Sequence, residues 1–478
     1  MPDDNGGEVE LSNLSLIDLI HLLDSKAVSS FECVSYFADR INTLNPKLNA
    51  FVAIDFESAL TRAKEIDQRR AHNRAVGALG GIPFGVKDLE DAAGFRTTMG
   101  SALFADSSEA VTNSHMVEKL TFAGGIVIGK TNTPEFGWKS ETFNKIFGPT
   151  RNPHDLTRSC GGSSGGTAAA IAAGIIPLAT GSDGGGSLRI PAAACGISAM
   201  KTSLGRIPSI SDRPGGWHDL SVPGPMARNI LDTAYLLDLV VMPDGRDFRS
   251  QARKFESWVQ EIAIVNKTFR VAYSKDLGYS PIDPEIEEVI SDAVSQLSDA
   301  GMEVVEIDSL FDKDPIDEFY IMTMSYYAKM LQPLLDDPKF QLVEPGIQEQ
   351  VTKGLSFSAI DFLRATDLCF YMNRTLFKLF QQFDVLISPT TAGLPPKIGG
   401  MPSIGGIEGP DWVKLTYPFN MTRSPAASIF AGYGPSKLPI GLQIVGPHLG
   451  DLTVLAAARK FEQILGVSSP ALTGSQSS

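Results

Sequence analysis

The chain has 478 residues, of which 43% are hydrophobic and 20% are charged. This is close to an average globular composition, and it excludes a disordered chain, a coiled coil and a collagen. The net charge of −14 argues against nucleic acid as the main ligand, because a phosphate backbone repels an acidic surface. A chain of this length can bury about three quarters of its unfolded surface, so the sequence predicts a large core.

The cysteines, the histidines and the N-terminus bear on metals and on the compartment. The four cysteines include no CxxC pair and the six histidines show no metal-ligand spacing, so neither a disulfide framework nor a zinc site is expected. Residues 1–10 are polar and acidic, unlike a signal peptide. The longest run of small apolar residues, Ala168 to Ala179, is too short to span a bilayer. We therefore expect a cytoplasmic protein with no metal, no cofactor, and no nucleic-acid or membrane partner.

Residues 1–75 are predicted to form an N-terminal helical part that packs on the rest of the chain. Ser15 to Asp18 and Ser29 to Glu32 match capping boxes, in which the first and fourth residues bond to each other's backbone. Phe56 to Arg70 gives a third, charge-rich helical run. We treat this part as belonging to one structural domain.

From residue 76 onwards, short apolar runs alternate with amphipathic runs. The predicted strands are 81–86, 125–128, 176–180, 269–273, 303–307, 385–388 and 440–445. The predicted helices are 116–122, 230–240, 284–297, 361–383 and 451–465. Such alternation is typical of an α/β fold. We therefore predict that residues 76–478 form a single large domain with a central, twisted, mostly parallel or mixed β-sheet covered by helices on both faces.

One motif suggests a nucleotide site but does not fit its context. Gly124 to Thr131 has the letters of a phosphate-binding loop, GGIVIGKT. Such a loop needs flexible residues between its glycines and a helix after the lysine. Ile126 to Ile128 is β-branched, and Pro134 follows soon after. This segment is therefore predicted to be a strand.

Glycines are concentrated around two serine clusters. Residues 161–186 contain nine glycines in 26 positions, far above the chain average. Gly184, Gly185 and Gly186 precede Ser187, and glycines let consecutive backbone N–H groups turn toward one point at little steric cost. An oxyanion hole needs this arrangement. Ser187 is therefore a candidate nucleophile, with these three N–H groups as candidate oxyanion donors.

Opposite charges flank this glycine loop. Asp183 precedes the three glycines and Arg189 follows Ser187. Asp183 is also the only charged residue between 161 and 188. We predict that the two residues form a structural ion pair that holds the loop and take no part in acid–base chemistry.

A nucleophilic serine also needs a base, and residues 161–187 contain no histidine. A lysine can serve when burial lowers its pKa enough to leave it neutral. Lys87 ends the apolar run GIPFGV at 81–86, where it is expected to lie inside the sheet. Lys87 is therefore the candidate base.

Gly161 to Gly165, GGSSG, also matches the GxSxG nucleophile elbow of α/β-hydrolases. That elbow follows a buried strand, whereas residues 151–158 are polar and turn-like. Only His218 and His448 lie downstream to act as its base. A Ser–His esterase with an α/β-hydrolase fold therefore stays open as an alternative.

Several spaced motifs together resemble the amidase signature family. They are GIPFGVKD around Lys87, GGSSGG around Ser163 and SDGGGSLRIPAAACG around Ser187, with GKTNTPEF at 129–136 and LPIGLQIVGP at 438–447 as further landmarks. The resemblance covers most of the chain. It implies an amidohydrolase with a catalytic triad of Lys87, Ser163 and Ser187, most similar to the stand-alone amide, aryl-amide and carbamate hydrolases.

The resemblance also implies how this triad works. The peptide bond entering Ser163 is expected to be cis, which places its hydroxyl between Lys87 and Ser187. Neutral Lys87 then takes a proton from Ser163, Ser163 takes one from Ser187, and Ser187 attacks the amide carbonyl to form an acyl-enzyme. Ser164 is a candidate for supporting the triad by hydrogen bonding. Many family members have Thr or Ile at the position of Gly184, so the loop is expected to be looser here.

The substrate pocket is less constrained by the sequence. Residues 308–360 resemble none of the shared motifs, and variable segments of this kind often shape a pocket. They contain a helically spaced apolar stripe that fits either the core or a pocket wall. The stripe residues are Phe319, Met322, Tyr326 and Met330. Other candidate pocket residues are Trp138, Phe143 and Phe147.

We expect the enzyme to cleave carboxamide-type C–N bonds in uncharged, bulky or aryl amides. Anilides, esters and carbamates are attacked by the same chemistry, so a urethanase-like activity is included. The expected partner is this small-molecule substrate, and the chain itself is expected to be a monomer or a homodimer. The alternative within the family is the glutaminase subunit of a tRNA-dependent amidotransferase, which releases ammonia from glutamine only with its partner subunits.

Overall fold

The computed structural model describes residues 10–210, 217, 219–253, 255–265, 267–409 and 411–466. The α-helices in these ranges are α1 (Leu16–Asp24), α2 (Ser30–Leu48), α3 (Phe56–Ala71), α4 (His115–Phe122), α5 (Gly165–Ala172), α6 (Arg189–Cys195), α7 (Ile230–Val240), α8 (Trp258–Ile264), α9 (Pro284–Asp299), α10 (Ile316–Leu331), α11 (Pro345–Ser356), α12 (Ala359–Leu379), α13 (Pro418–Met421) and α14 (Asp451–Leu465). Short 3-10 helices lie at Leu11–Asn13, Ala102–Phe104, Glu135–Gly137, Gln332–Leu334 and Pro338–Leu342.

The strands are β1 (Phe51–Ile54), β2 (Pro83–Lys87), β3 (Ile126–Thr131), β4 (Phe143–Asn144), β5 (Gly148–Pro149), β6 (Arg151–Asn152), β7 (Asp155–Ser159), β8 (Leu178–Asp183), β9 (Ser198–Lys201), β10 (Val222–Ala227), β11 (Arg270–Tyr273), β12 (Glu303–Glu306), β13 (Val385–Pro389), β14 (Ser403–Ile404), β15 (Ile407–Glu408), β16 (Ala426–Tyr433) and β17 (Pro439–Val445). Three two-stranded ribbons are formed by β4 and β5, β6 and β7, and β14 and β15.

The other eleven described strands form one sheet in the order β1-β3-β2-β8-β10-β9-β16-β17-β13-β11-β12. The pairs β3/β2, β2/β8, β13/β11 and β11/β12 are parallel, and the remaining neighbours are antiparallel. The sheet is therefore mixed, as predicted, with parallel segments toward both ends and an antiparallel centre.

Helices cover both faces of this sheet, which confirms the predicted α/β architecture. Strand side chains alternate between the faces: Val385 and Ile387 of β13 join a core cluster with α1, α7, α9 and α14. Leu386, between them, joins a cluster on the opposite face with α10, α12 and α13. A third cluster packs α2, α3, α5 and α6 against the other end of the sheet. We call the α14 side the first face and the α12 side the second face.

The two helix N-termini predicted from capping motifs are confirmed. Ser15 Oγ accepts from Asp18 N–H at the start of α1, and Ser29 and Glu32 form a complete capping box at the start of α2. The bounds of α7 and α14 are those predicted. In the described ranges, no helix combines the length and the apolar character needed to cross a membrane.

Strand β16 is absent from the predicted set, although it lies near the middle of the sheet. Its first six residues are buried, and Ala426 and Ala427 point to opposite faces. Because both faces are covered, no alternation of polar and apolar residues marks the strand. Its neighbour β17 is predicted because Ile440, Leu442, Ile444 and Val445 give the segment a high density of large apolar residues, which is easier to recognise.

Candidate active site

Lys87 is the last residue of β2, in which every residue is buried. Phe84 and Val86 point to the first face, so strand alternation directs Lys87 to the second face. The Lys87 backbone N–H donates to Thr180 Oγ1 of the neighbouring strand β8 at 3.0 Å. The apolar run before Lys87 thus delivers a charged side chain into the interior, as the sequence predicts.

The Lys87 Nζ lies among hydroxyl groups and is fully buried. It donates to Ser163 Oγ at 2.8 Å, Ser164 Oγ at 2.9 Å and Ser182 Oγ at 3.1 Å. Burial lowers the pKa of Lys87 to about 7, although the charges of Glu90 and Asp183 act in the opposite direction. A substantial fraction of Lys87 is therefore neutral near neutral pH, and only the neutral amine can accept a proton.

Ser163 and Ser164 lie in the turn between β7 and α5, and Ser164 occupies the N-cap position of α5 without a capping side-chain hydrogen bond. The peptide bond between Gly162 and Ser163 is cis, as the resemblance implies. The turn is crowded: a Cβ on Gly165 would lie 2.6 Å from Cys160 Sγ, so only glycine fits. All residues of α5 are buried, and most of them are glycine or alanine. Because these side chains are small, the turn can lie close to Lys87.

Ser187 lies two residues before α6 and is half-buried. Ser164 N–H donates to the Ser187 carbonyl oxygen at 3.2 Å, and this bond joins the two serine clusters. Among the described residues, no hydrogen bond connects the Ser163 and Ser187 hydroxyls. Catalytic hydrogen bonds often tighten only when a substrate binds, so the transfer between these hydroxyls stays a prediction.

The three glycines before Ser187 do not offer equivalent N–H groups. Gly186 N–H donates to Asp183 Oδ1 at 2.8 Å, so it is engaged and does not fit the predicted role of oxyanion donor. In the described part of the chain, Gly184, Gly185 and Ser187 have N–H groups without a hydrogen-bond partner. These three are the candidates that remain.

The predicted ion pair between Asp183 and Arg189 is present and fully buried. Arg189 Nε and Nη2 lie 2.9 Å from the two carboxylate oxygens, and the guanidinium also donates to Thr416 O, Gln443 Oε1 and Asn420 Oδ1. Burial alone would raise the pKa of Asp183, but the charge and hydrogen bonds of Arg189 hold it at about 2. Asp183 is therefore a permanent anion that anchors the loop.

Comparison with known proteins tests the resemblance directly. The family described as Amidase matches residues 32–455. The chain belongs to the amidase signature family. An acylamidase from Rhodococcus erythropolis is 34% identical over 465 residues. The matched region covers 96% of this chain and 96% of the acylamidase. The A subunit of glutamyl-tRNA(Gln) amidotransferase from Chromohalobacter salexigens is 32% identical over 472 residues, covering 94% of this chain and 96% of that protein.

Solved structures of the amidase signature family share this fold. A bacterial aryl acylamidase of the family superimposes with a TM-score of 0.88 at 28% identity, covering 96% of this chain and 99% of its own. A substrate complex of 6-aminohexanoate cyclic dimer hydrolase gives a TM-score of 0.87 at 26% identity, covering 97% and 100%. With the family membership, these similarities identify the chain as an amidohydrolase, which confirms the prediction.

Of the predicted pocket residues, Trp138 is adjacent in sequence to Gly137, which lies beside Ser163 of the predicted triad. A Cβ added to Gly137, the residue before Trp138, would lie 3.1 Å from Ser163 Oγ. Trp138 Nε1 donates to Glu344 Oε2 at 3.1 Å, just before α11. Trp138 thus connects the triad turn with the variable segment 308–360.

Phe143 and Phe147 lie on the β4/β5 hairpin. Phe143 is exposed at its ring, over which Lys139 Nζ lies 4.7 Å from the centroid. The Phe147 carbonyl accepts from Asn49 Nδ2 at 2.7 Å. No hydrogen bond or ring contact of the described residues joins either phenylalanine to the predicted triad, so their role as pocket residues stays a prediction.

Two other aromatic residues, Trp217 and Phe319, lie against the loop before Ser187, and a third, Tyr417, packs on Phe319. A Cβ on Gly184 would lie 2.7 Å from Trp217 Cε3, and a Cβ on Gly185 would lie 2.9 Å from Phe319 Cζ. Trp217 and Phe319 meet edge to face at 5.8 Å, and Phe319 stacks on Tyr417 at 4.9 Å. We call Trp217, Phe319 and Tyr417 the aromatic wall. Phe319 belongs to the predicted helical stripe, whereas no local pattern marks the other two.

The GxSxG segment does not form an α/β-hydrolase elbow. Strand β7, which precedes it, belongs to a two-stranded ribbon and not to the central sheet. The Ser163 hydroxyl is bonded to Lys87. His218 lies outside the described residues, and His448 bonds to the backbone of Arg423. These contacts and the family membership argue against the Ser–His esterase.

The segment that imitates a phosphate-binding loop is strand β3, as predicted. Its Lys130 is fully buried, with Nζ 3.2 Å from Asp88 Oδ1. Lys130 Nζ also donates to the Glu90 carbonyl oxygen at 2.6 Å. Lys130 therefore braces the turn that follows Lys87 and is not placed to bind a phosphate.

Proposed function

We propose that this enzyme hydrolyses uncharged, bulky or aryl carboxamides through an acyl-enzyme on Ser187. The observation that carries the proposal is the fully buried Lys87, whose Nζ lies 2.8 Å from Ser163 Oγ beside the Ser187 loop. With a pKa of about 7, Lys87 supplies the base that a serine nucleophile needs.

The proposed reaction starts from neutral Lys87. It accepts the Ser163 proton while Ser163 accepts the Ser187 proton, and Ser187 Oγ attacks the carbonyl carbon. The N–H groups of Gly184 and Gly185 stabilise the oxyanion, a donor of this kind being worth about 3 kcal/mol. The proton returns through Ser163 to the nitrogen as the C–N bond breaks, and water then hydrolyses the acyl-enzyme by the same relay.

Ser164 has a supporting role in this scheme. Its hydroxyl accepts from Lys87 Nζ at 2.9 Å, and its N–H donates to the Ser187 carbonyl at 3.2 Å. One residue therefore ties the base to the segment that carries the nucleophile. Such positioning matters because displacing a reacting group by about 1 Å can cost 10²-fold in rate.

The aromatic wall supports a bulky substrate. Trp217 and Phe319 present ring surfaces beside Gly184 and Gly185, and Tyr417 supports Phe319 from behind. In the proposal, the acyl or aryl group of a substrate attacked by Ser187 lies against these rings. Aromatic rings bind flat apolar groups by stacked and edge-to-face contacts. The similarity to an acylamidase and to an aryl acylamidase supports the same substrate class. Esters and carbamates, whose carbonyls are attacked in the same way, are included in the proposal.

The rival within the family is the glutaminase subunit, which the 32% identity to an amidotransferase chain of that kind favours. The purified single chain, assayed on acetanilide, benzamide, a phenyl carbamate, a phenyl ester and glutamine, separates the two. We expect hydrolysis of acetanilide or benzamide without any partner. Activity on glutamine alone, and only after partner subunits are added, would overturn the proposal.

Covalent labelling tests the nucleophile. A fluorophosphonate is expected to modify Ser187, and Ser187→Ala is expected to abolish both the adduct and the activity. Ser356→Ala, which removes an exposed hydroxyl on α11, serves as the matched control and retains both. His448→Ala retains activity if Lys87 is the base. An adduct on Ser163, or loss of activity in His448→Ala with retention in Ser187→Ala, contradicts the mechanism.

We also propose that the enzyme works in the cytoplasm. All four cysteines are free and buried, and unpaired thiols are usual in a reducing compartment. Cell fractionation followed by immunodetection checks the location, and recovery from an extracytoplasmic fraction contradicts it.

A further inference from the structure

The inner face of helix α12 (Ala359–Leu379) packs against the core of this chain and is buried there. Ala365, Cys369, Met372 and Leu376 are buried at helical spacing. Cys369 Sγ lies 3.9 Å from Met322 Sδ on the neighbouring helix α10. An amphipathic surface helix with such an inner face is expected to be polar on its outer face.

The outer face of α12 is instead strongly apolar. Five large apolar side chains are more than half exposed there: Ile360 (56%), Leu363 (57%), Phe370 (66%), Tyr371 (63%) and Phe377 (67%). An aromatic side chain covers about 150–250 Å², so the three rings alone leave roughly 300–500 Å² of apolar surface exposed. Soluble monomers rarely expose a larger patch, and patches of this size commonly mark an interface.

These residues follow a seven-residue repeat. Leu363, Phe370 and Phe377 are seven residues apart and lie in one row along the helix, and Ile360, Asp367 and Arg374 form a second row beside it. Taken together, the positions of the two rows alternate in steps of three and four residues along the sequence. This is the spacing with which one helix packs along another in a coiled coil. The outer face is therefore shaped for a second helix.

The two charges in the second row are unpartnered. Asp367 and Arg374 are both exposed. Among the described residues, neither takes part in an ion pair or a side-chain hydrogen bond. Asp367 lies three residues before Phe370 and Arg374 four residues after it, so opposite charges stand at nearly equal distances on either side of that ring.

We propose that two copies of this chain form a homodimer in which their α12 helices pack antiparallel about a two-fold axis at Phe370. A two-fold interface uses the same surface on both copies, so it must be self-complementary. In this register Phe370 meets Phe370 of the second copy, and Leu363 meets Phe377. Each Asp367 lies within about one residue rise, 1.5 Å along the helix, of Arg374 on the other copy. A parallel pairing would place like charges together, which favours the antiparallel one.

Sedimentation velocity over a range of protein concentrations tests the proposal on the intact chain. Wild type is expected to sediment as a dimer of the 51.3 kDa chain, and Phe370→Asp combined with Phe377→Asp as an active monomer. Asp367→Arg and Arg374→Asp are each expected to raise the dimer dissociation constant about tenfold, because each change removes two symmetric ion pairs and creates repulsion. The double charge reversal restores the pairs with inverted sign and is expected to return the constant to within about threefold of wild type.

Asp292→Arg makes the same charge change on the exposed side of α9, which packs on the first face, and it is expected to leave the dimer unchanged. The charge variants do not touch the core, so they keep the test valid if the phenylalanine variant fails to fold. A wild-type monomer at tens of micromolar, including one that binds phosphatidylcholine vesicles through this face, overturns the proposal. A double reversal as weak as the sum of its single changes also overturns it.

Discussion

The Nζ of Lys87 lies 2.8 Å from the Oγ of Ser163, in a position where the lysine side chain is fully buried. In the proposed mechanism, this relationship makes activity depend on the protonation of one amine. Only neutral Lys87 can accept the Ser163 proton, and the pKa of Lys87 is about 7. We therefore expect kcat/KM for an anilide to rise with pH and to level off above about pH 7.

Replacement of the lysine tests its role as a base. Lys87→Met is expected to lower kcat/KM by about 10²–10⁴-fold, the range for loss of a general base. Lys87→Arg is expected to be equally poor, since a guanidinium stays protonated. Lys353→Met, at an exposed position on α11, is the control and keeps full activity. Full activity of Lys87→Met at neutral pH contradicts the mechanism.

Glu90 is expected to set the position of this pH profile. Burial raises the pKa of Glu90 to about 7, with hydrogen bonds and the charges of Lys87 and Lys130 opposing that rise. Ionised Glu90 in turn favours protonated Lys87 and raises its pKa. Glu90→Gln removes this negative charge, so the pKa of Lys87 falls and the rise of kcat/KM moves to lower pH. Glu65→Gln, on the exposed side of α3, is expected to leave the profile in place.

The same substitution has a signature in stability. The pKa of Glu90 is raised in the folded state, so its stabilising effect is present below its unfolded pKa of 4.5 and is lost as the pH rises through about 7. Glu90→Gln does not ionise and avoids this loss. The difference in unfolding free energy between Glu90→Gln and wild type is therefore expected to favour the variant more at pH 8 than at pH 5. A difference that does not change between these pH values contradicts the coupling.

The buried pair of Asp183 and Arg189 is expected to be essential to the fold around the nucleophile. Arg189→Met leaves a buried carboxylate without its counter-ion, which typically costs about 3–5 kcal/mol. We expect that loss in the free energy of unfolding measured with urea, together with a lower kcat, because Asp183 also holds Gly186 N–H.

An exposed ion pair provides the control for this measurement. Arg246→Met breaks the pair with Asp244, in which the arginine is 61% exposed, and is expected to leave the free energy of unfolding nearly unchanged. The double variant Asp183→Asn with Arg189→Met removes both charges and is expected to recover part of the stability. Equal effects of Arg189→Met and Arg246→Met would show that the buried pair has no special role.

The sequence predicts those parts of the site that are encoded locally. Lys87 follows an apolar strand, the two serines stand in glycine clusters, and Asp183 is the only charge in its segment. Each of these signals lies within a few residues of the group concerned. The ion pair, and Lys87 and Ser187 as candidates for base and nucleophile, could therefore be predicted from the amino-acid sequence, whereas the assignment of Ser163 to a triad with them depends on the family resemblance.

The rest of the site depends on contacts between distant segments. Trp217 reaches Gly184 from 33 residues further along the chain, and Phe319 reaches Gly185 from α10. The direction of Gly186 N–H is also set by a side chain, Asp183, and no composition signal shows that it is occupied.

Phe319 is the residue through which substrate size is expected to be selected. Its Cζ lies 2.9 Å from the position of a Cβ on Gly185, and it is held by Trp217 and Tyr417. Phe319→Ala removes this ring surface, so kcat/KM for benzamide or acetanilide is expected to fall about 10–100-fold, with a smaller change for acetamide. Comparison of benzamide with acetanilide shows whether the ring binds the acyl or the amine side of the substrate.

Two further variants separate this effect from loss of packing. Phe319→Leu keeps most of the buried volume and is expected to fold normally while it still loses preference for the aryl substrates. Phe122→Ala removes a ring that is 89% exposed on α4 and is expected to leave the preference unchanged. If Phe319→Ala and Phe319→Leu lower activity on acetamide as much as on the aryl amides, then Phe319 shapes the loop and does not bind the substrate, because a binding surface acts only on the substrate that reaches it.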